Sequence, residues 1–399
     1  MLKLDKRKKY LLACSYGPDS MALFSMLKNE GFCFAVAHVN YHLRDESDFE
    51  AKSLRKYCET QNISFYYYDV TSTLTKNIEE EAREIRYNFF ASVIKENNFD
   101  ILLVAHNLDD HLETYLLQKK RNILPTYYGI AENSTSFGIH ILRPLLQYSK
   151  RSLQDYDDEN NIPYSIDKTN NEDHYERNKI RHHVLAKMSD VERASLVNEI
   201  ALENEKLSDI IKRVKNVASN IKHEMIKMSD IEFAYFLHFF VRKTIPDFEC
   251  SLKFASEVKK ALGSKKANIE IMLNPTYELV IEYGELNVIT RNVEKFSYTY
   301  NEPCIDDNKY FFMNFETDST NRNVRLNDYP ITIRTIDPHD SITINDYKVK
   351  ATRLLIDWKV PLSLRKRWPV IVNKNNKVIY IPRYQKDFKL TETCNFYVK

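Results

Sequence analysis

Glycine is scarce in this chain: six copies in 399 residues, with 12 prolines and two tryptophans. Set against abundant Asn, Lys and Tyr, the shortage reads as compositional drift and says little about function. Cys14, Cys33, Cys58, Cys250, Cys304 and Cys394 are scattered, with no CxxC pair. That pattern excludes zinc ribbons and paired redox thiols and fits a reduced cytoplasm. No apolar run approaches a membrane-spanning length. The opening "MLKLDKRKKYLLACS" is basic and then apolar, but the apolar part is too short for a signal peptide and a turn follows at once. Net charge is also lacking: 58 Lys and Arg against 56 Asp and Glu leave a formal +2. Any contact with nucleic acid must therefore come from local patches. There is no internal repeat and no low-complexity linker.

What is present is an ordinary soluble composition, 43% hydrophobic and 29% charged, in a chain long enough for two or three domains. Residues 10 to 105 alternate in character. "YLLACS", "FAVAHVN" (34–40), "SFYYYDV" (64–70) and "DILLVAH" (100–106) read as strands. Helices are expected from Asp19 to Lys28, over 45–61 through Ala51, Leu54 and Cys58, over 78–95, and through Leu112, Tyr115 and Leu116. In the third of these, Ile78, Ala82, Ile85 and Phe89 mark the apolar face, and Asn77 with Glu80 resembles a capping box. The alternation predicts an α/β fold with a doubly wound parallel sheet covered on both faces. Ligands of such sheets bind beyond the carboxyl ends of the strands. The turn after the first strand, "HVNYHLR" and "AHNLDD" should therefore share one rim. From about residue 190 the pattern becomes long, charged and helical, then strand-like to about 300. A β-branched block follows from about 325, with "RLLIDWKV" as a short helix within it.

The turn "SYGPDS" (15–20) lies between a strand and a helix. Gly17 there places backbone N–H groups at a helix N-terminus, a ready anion site. Pro18 suits the first helical position. Ser15 and Ser20 offer hydroxyls to phosphate oxygens. Asp19 favours the helix dipole but repels a bare phosphate, and makes better sense beside a hydrated Mg²⁺ that bridges to it. No Lys of the GxxxxGKS or GxxxxGKT type is present, which excludes the common kinase and GTPase phosphate loop. The plainer reading is a helix cap, and the turn alone leaves both open.

"SYGPDS" resembles the SGGxDS pyrophosphate loop of the N-type ATP pyrophosphatases, with Tyr16 where that pattern has its first Gly. "HVNYHLR" (38–44), "EAREIRY" (81–87), "AHNLDDHLET" (105–114) and "YERNKIR" (175–181) follow in order. With the C-terminal "TIRTIDPHDSI", "LLIDWKVPLSLRKRWPVIV" and "VIYIP", the chain resembles the tRNA(Ile)-lysidine synthetases. The likeness is closest over 1–190, looser over 325–399, and between them only one of length and helical character. It implies a Rossmann-like PP-loop catalytic domain over 1–190, a mostly helical middle domain over 191–300 that contacts tRNA, and a small α+β tRNA-binding domain over 325–399. It also implies ATP and Mg²⁺ as cofactors. The implied partners are free L-lysine and a tRNA(Ile) with a CAU anticodon, in the cytoplasm, with no membrane and a monomer or homodimer. The implied reaction adenylates C2 of the wobble cytidine, position 34, and lets lysine displace AMP. The lysidine so formed changes decoding from AUG to AUA.

By the same resemblance, Ser15, Tyr16, Gly17, Pro18, Asp19, Ser20, His38 and Arg181 bind ATP. Asp110, Arg83 and Arg177 carry the chemistry, with Asp110 on the substrate amine. His106, Asp109, Glu113, Arg86 and Asn178 face lysine or tRNA. Read from the residues alone, each set has a plain counterpart. Asp109, Asp110 and Glu113 are acids at a helix start, favourable to its dipole. His106 touches substrate or closes the strand. Arg83, Arg86 and Tyr87 lie on the solvent side of the 78–95 helix, as a phosphate-binding set or as a charged face beside Glu79, Glu80 and Glu81. Arg177 and Arg181 are one turn apart, with Asn178 between them, and can reach one ligand. His38 and His42 straddle a strand end, which removes helical i,i+4 geometry and with it a zinc site. "KKR" (119–121), "KRVK" (212–215) and "LRKRW" (364–368) are tRNA contacts or solvated faces.

Two other readings stay beside this one. Thiolation enzymes of the same fold also adenylate a base, but need cysteines near the loop or in pairs. Cys14 adjoins the loop, yet no partner is spaced for persulfide or cluster chemistry. A non-catalytic tRNA-binding module with a decayed loop is suggested by Tyr16 and opposed by Asp19, Asp110 and the arginines.

Overall fold

The computed structural model describes residues 1–43, 45–71, 78–166, 176–217, 222–264, 268–282, 285–292, 294–316, 324–384 and 395–399. Arg44, Asn77, Tyr175 and Cys394 lie outside these, and the Asn77–Glu80 box with them. The chain divides into two compact units, Met1–Lys212 and Arg213–Lys399.

The first unit runs β1 (Lys9–Ala13), α1 (Pro18–Asn29), β2 (Cys33–Asn40), α2 (Ser47–Thr60), β3 (Phe65–Asp69), α3 (Ile78–Asn97), β4 (Ile101–Val104) and α4 (Leu108–Arg121). It continues with β5 (Asn133–Ser136), β6 (Ile139–Leu142), α5 (Lys150–Glu159), α6 (Glu176–His183) and all but the last three residues of α7 (Asp190–Lys215). The strands form one sheet in the order β3-β2-β1-β4-β6-β5. All pair in parallel except the edge strand β5, which is antiparallel to β6. Successive side chains of β1 point to opposite faces and seed two cores. Leu12 packs with Met21, Phe24, Val36, Leu54 and Leu103 on one face. Leu11 packs with Ala35, Tyr87, Phe90, Leu102 and Ile141 on the other. Strands buried on both faces explain the short, wholly apolar runs. This is the expected doubly wound sheet, extended by β5 and β6, whose polar "NSTS" strand gave no apolar signal.

The buried face of α3 differs from the expected one. Ile78 is 51% exposed, while Tyr87, Phe90 and Val93 are buried against the sheet. The two rings carry more apolar area than Ala82 and Ile85, and the helix turns to bury them. The first compact unit runs past residue 190. Leu196 and Ile200 of α7 pack on Leu112 and Tyr115 of α4, and the Tyr115 hydroxyl donates to Glu199 at 2.5 Å. The first unit therefore takes in the helix that was expected to open the middle domain.

In the second unit, α8 (Lys222–Lys227), α9 (Asp230–Arg242) and α10 (Leu252–Gly263) precede an antiparallel sheet. Its strands are β7 (Asn268–Met272), β8 (Tyr277–Glu282) and β9 (Glu285–Thr290). Beyond it, β10 (Ser297–Tyr300) pairs with β13 (Ile331–Thr335), and β11 (Ile305–Asp307) and β12 (Phe311–Asn314) pair with each other. The remaining elements are β14 (Ser341–Ile344), β15 (Tyr347–Lys350), α11 (Ala351–Asp357), α12 (Leu362–Arg365), β16 (Pro369–Val372), β17 (Val378–Tyr380) and β18 (Phe396–Val398). β16 joins β13 to β17, and β18 pairs with β12. These sheets enclose Phe311, Ile333 and Trp368, and the Trp368 indole N–H donates to the Pro382 carbonyl at 2.9 Å. The terminal domain expected from 325 thus shares its sheets with strands from Ser297 onward. No helix among the described residues is long and apolar enough to cross a membrane.

Candidate active site

β1 and β4 are neighbours in the sheet, yet the chain leaves β1 toward β2 and returns through β4 on the other side. The reversal opens a crevice at their carboxyl ends, where ligands of such sheets bind. A cavity of about 450 Å³ lies there. Ser15, Gly17, Asp19 and Ser20 line it from the first turn, His38 from β2, Arg83 and Arg86 from α3, and His106 and Asp110 from the β4–α4 junction. Nine expected residues from separate parts of the chain thus surround one space.

The turn is not a side-chain cap. Gly17 is the N-cap of α1 and no side chain caps that helix. The Ser20 hydroxyl instead donates to the Gly17 carbonyl at 2.9 Å, and the Ser15 and Ser20 hydroxyls lie 3.5 Å apart. Gly17 has an ordinary φ of −81°. A Cβ there would meet the Ser15 hydroxyl at 3.4 Å, an ordinary contact, so neither strain nor crowding requires the glycine. The left-handed conformation falls on Tyr16, at φ +66°. That requirement explains a glycine in the family pattern. The Tyr16 ring is 8% exposed and packs in the core with Met21 and Leu54. Its backbone belongs to the turn, while its side chain lies in the core. Pro18 opens α1.

Asp19 is largely buried. Burial pushes its carboxyl up to about 6, against a hydrogen bond from Asn107, and the nearby Asp110 charge adds to the rise. Its Oδ1 is buried with no hydrogen-bond partner among the described residues. An orphaned carboxylate oxygen beside a phosphate-type turn fits a cation. No cluster of three metal-ligating side chains exists among the described residues, so the fit is to a Mg²⁺ held mainly by phosphate and water.

The two cavity histidines are held in opposite ways. His38 donates from Nδ1 to the Cys14 carbonyl at 2.8 Å, and burial lowers its pKa. His106 accepts at Nδ1 from the Arg143 Nε–H at 3.1 Å. His42 turns elsewhere, to Asp48 at 2.9 Å and Asp69 at 2.6 Å. Cys14 is buried, and burial pushes its thiol up to about 11, so it is no thiolate nucleophile at neutral pH.

At the start of α4, Asp110 completes a capping box. Its Oδ2 accepts the Asn107 N–H at 3.1 Å, and Asn107 Oδ1 accepts the Asp110 N–H at 3.0 Å. The helix-start reading thus holds for one oxygen, while the residue still lines the cavity. Its Oδ1 lies 3.6 Å from the Arg181 guanidinium.

Other expected residues are drawn away from the cavity. Asp109 Oδ1 pairs with Arg193 at 2.6 Å and its Oδ2 accepts the Lys150 N–H at 2.8 Å, so this side chain ties α4 to α5 and α7. Glu113 is 1% exposed and holds Arg181 at two points, 2.6 and 3.1 Å. Neither Asp109, Glu113 nor Arg181 lines the cavity. Arg177 is exposed and lies 3.4 Å from the Thr114 hydroxyl, and Asn178 is buried beside it. Tyr87 is buried rather than on the solvent side. Its ring lies under the Arg83 and Arg86 guanidiniums, at 4.6 and 5.7 Å, a cation–π arrangement.

The basic clusters are partly engaged within the chain. Lys119 pairs with Glu203, Lys120 with Glu176, Arg213 with Glu232 and Lys366 with Glu278. Sequence reasoning missed Asn107, 1% exposed, which links Asp110 to Asp19. It also missed Arg143 and Arg193. Asn107 stood inside a quoted motif. Arg143 follows the "IHIL" strand, which was not read as one.

Residues 1–188 match the PP-loop domain family. A curated tRNA(Ile)-lysidine synthase of Mycoplasma mycoides subsp. mycoides is 31% identical over 404 residues, which take in 95% of this chain and 98% of that one. Another, of Ureaplasma parvum, is 42% identical over 180 residues, 44% of this chain and 54% of that one. The match thus spans about half the length of the Ureaplasma protein and nearly all of the Mycoplasma one. Among solved structures, the U34-tRNA thiolase of Methanococcus maripaludis with its 4Fe-4S cluster aligns with a TM-score of 0.42 at 16% identity, over 51% of this chain and 73% of that one.

Proposed function

The chain belongs to the tRNA(Ile)-lysidine synthase family, and from that premise we propose how the rim cavity works as a carbon–nitrogen ligase. It joins the ε-amine of L-lysine to C2 of the wobble cytidine of a CAU-anticodon tRNA(Ile), and converts ATP to AMP and pyrophosphate. The C2 oxygen is a poor leaving group. Its attack on the α-phosphate forms an O–P bond, breaks the α–β bridge and releases pyrophosphate. The lysine amine then attacks C2, loses a proton, and the C–O bond breaks to release AMP.

The observation that carries this reading is the convergence of the first turn, His38, Arg83, Arg86, His106 and Asp110 on one cavity at the strand-order reversal. The uncapped N-terminus of α1, with the Ser15 and Ser20 hydroxyls, suits the phosphates. Asp19 would hold a Mg²⁺ that neutralises phosphate charge when bound. Arg83 and Arg86 suit phosphate oxygens of ATP or of the anticodon. Lysine reaches the site as an ammonium ion, since its side-chain pKa is about 10.4. Asp110 attracts that ion and accepts its proton as the amine attacks. Glu113 fixes Arg181 beside Asp110 and so sets its charge environment. We assign the second unit to tRNA contacts beyond the anticodon. A thiolation reading loses support at Cys14, whose thiol is buried and protonated.

The test is incubation of the chain with ATP, labelled lysine and transcribed tRNA(Ile). Label at the wobble base of a CAU transcript, and none when that base is uridine, is expected. Label in both, or in neither, overturns the assignment.

A further inference from the structure

We propose that Arg143 is a positioning residue for this reaction: it fixes His106 as a neutral imidazole with its proton on Nε2, so that His106 donates an N–H to an oxygen of the reacting carbonyl–phosphate group. The role for the donated N–H rests on the proposed reaction; the tautomer does not.

Arg143 follows β6 and is 7% exposed. Its Nε–H points to His106 Nδ1 at 3.1 Å. One terminal nitrogen donates to the Ala131 carbonyl at 2.8 Å and the Ser134 hydroxyl at 2.9 Å, and the Arg143 backbone N–H donates to the Glu132 carbonyl at 2.9 Å. The guanidinium is thus held at Nε and at one terminal nitrogen. It has donors only and stays charged. Nδ1 of His106 must therefore be the acceptor, and in a neutral imidazole the proton then sits on Nε2.

The surroundings favour the neutral ring. The charges of Arg143, Arg177 and Arg86 disfavour a proton on the ring and that of Asp110 favours one. Burial is the largest influence, and with those cations it holds the ring well below its usual range, at about 4. His106 lines the same cavity as Asp110. The two side chains then divide the work. His106 is a donor and no base, and Asp110 is the proton acceptor. A fixed N–H aimed at a place where phosphoryl charge develops is the usual form of electrostatic catalysis.

The rival account is that Arg143 only ties the end of β6 to the 131–134 segment that enters β5. Nitrogen NMR of the protein with ¹⁵N-labelled histidines separates the two, with the His106 signals identified by their loss in His106→Gln. The wild type should show the Nε2–H tautomer from about pH 5 to 8. Arg143→Gln should mix the tautomers and move the titration midpoint up by about one unit or more. It should lower the adenylation rate roughly 10- to 100-fold and leave the KM for lysine within about twofold. Ser134→Ala, which removes a structural bond of Arg143 alone, should change neither. A wild-type Nδ1–H or doubly protonated His106 at pH 6 overturns the proposal. So does an Arg143→Gln spectrum with His106 unmoved. If Arg143→Gln does not fold, the wild-type spectrum decides. Nε2–H signals in a chain that makes no lysidine would sink the reaction and leave the tautomer standing.

Discussion

Replacing Tyr16 by Gly and, separately, by Ala distinguishes backbone strain from side-chain packing at the phosphate turn. Tyr16 holds φ +66° and its ring is buried. Both variants lose the ring, at about 3–5 kcal/mol for a large aromatic. Ala keeps a Cβ in the left-handed region, which costs about 1–2 kcal/mol. Gly removes that strain but adds about 0.5–1 kcal/mol of backbone entropy. Tyr16→Gly should therefore be more stable than Tyr16→Ala, by about 0.75 kcal/mol at the middle of these ranges and at most about 1.5 kcal/mol, the reverse of the order at an ordinary position. Urea unfolding of the two variants, followed by amide exchange in β1 and α1, reads the first unit apart from the second. Because the ring points into the core, the KM for ATP should change only a few-fold in Tyr16→Gly. Equal stability of the variants, or Ala above Gly, would refute the strain argument. A large gain in rate with Gly would show that the ring obstructs the cavity.

Asp110→Asn keeps size but loses charge, so adenylated tRNA should accumulate while lysine transfer falls roughly 10²–10⁴-fold in single-turnover assays. Asp109→Asn should lower stability by about 1–3 kcal/mol through Arg193 and leave the ratio of the two steps unchanged; reversed outcomes would mean that the two carboxylates have the opposite roles. Burial pushes the Asp19 carboxyl up to about 6 without a cation, and Mg²⁺ competes with that proton, so adenylation at subsaturating Mg²⁺ should rise with pH through that region, and Asp19→Ala should abolish adenylation with tRNA binding nearly intact. A rate independent of pH between about 5 and 7 would count against this. Asp157 of α5 is fully buried with neither oxygen partnered among the described residues, and burial, then Asp19 and Asp158, push it up to about 7. Its folded value lies above its unfolded one, so stability is lost as pH rises from about 4 through 7. Asp157→Asn should raise stability at pH 8 by as much as about 4 kcal/mol and do little at pH 4, read as urea midpoints; equal effects at both would exclude the titration.

The sheet was legible because β1, β2 and β4 are short apolar runs, a pattern that burial on both faces imposes. The shared rim followed from topology, since "SYGPDS", "HVNYHLR" and "AHNLDD" each stand at the end of a strand. The face of α3 was misread because Ile78-Ala82-Ile85-Phe89 is as regular as the true stripe, and only packing against the sheet decides which is buried. Asp109 and Asp110 are indistinguishable in sequence. About 100° of helix rotation sends one toward Arg193 and leaves the other at the cavity. Arg143 was invisible because strand pairing brings its partners to it, His106 through β4 with β6 and residues 131–134 through β5 with β6.

The most direct test of the central claim, that one cavity joins the α-phosphate of ATP to the wobble cytidine before lysine arrives, is a single-turnover reaction with ATP labelled in its α-phosphate. Without lysine, the account predicts label on the tRNA and one pyrophosphate released for each label bound. Added lysine should then release the label as AMP, one for each lysine incorporated. Label recovered as ADP, or AMP formed without label ever resting on the tRNA, would contradict it.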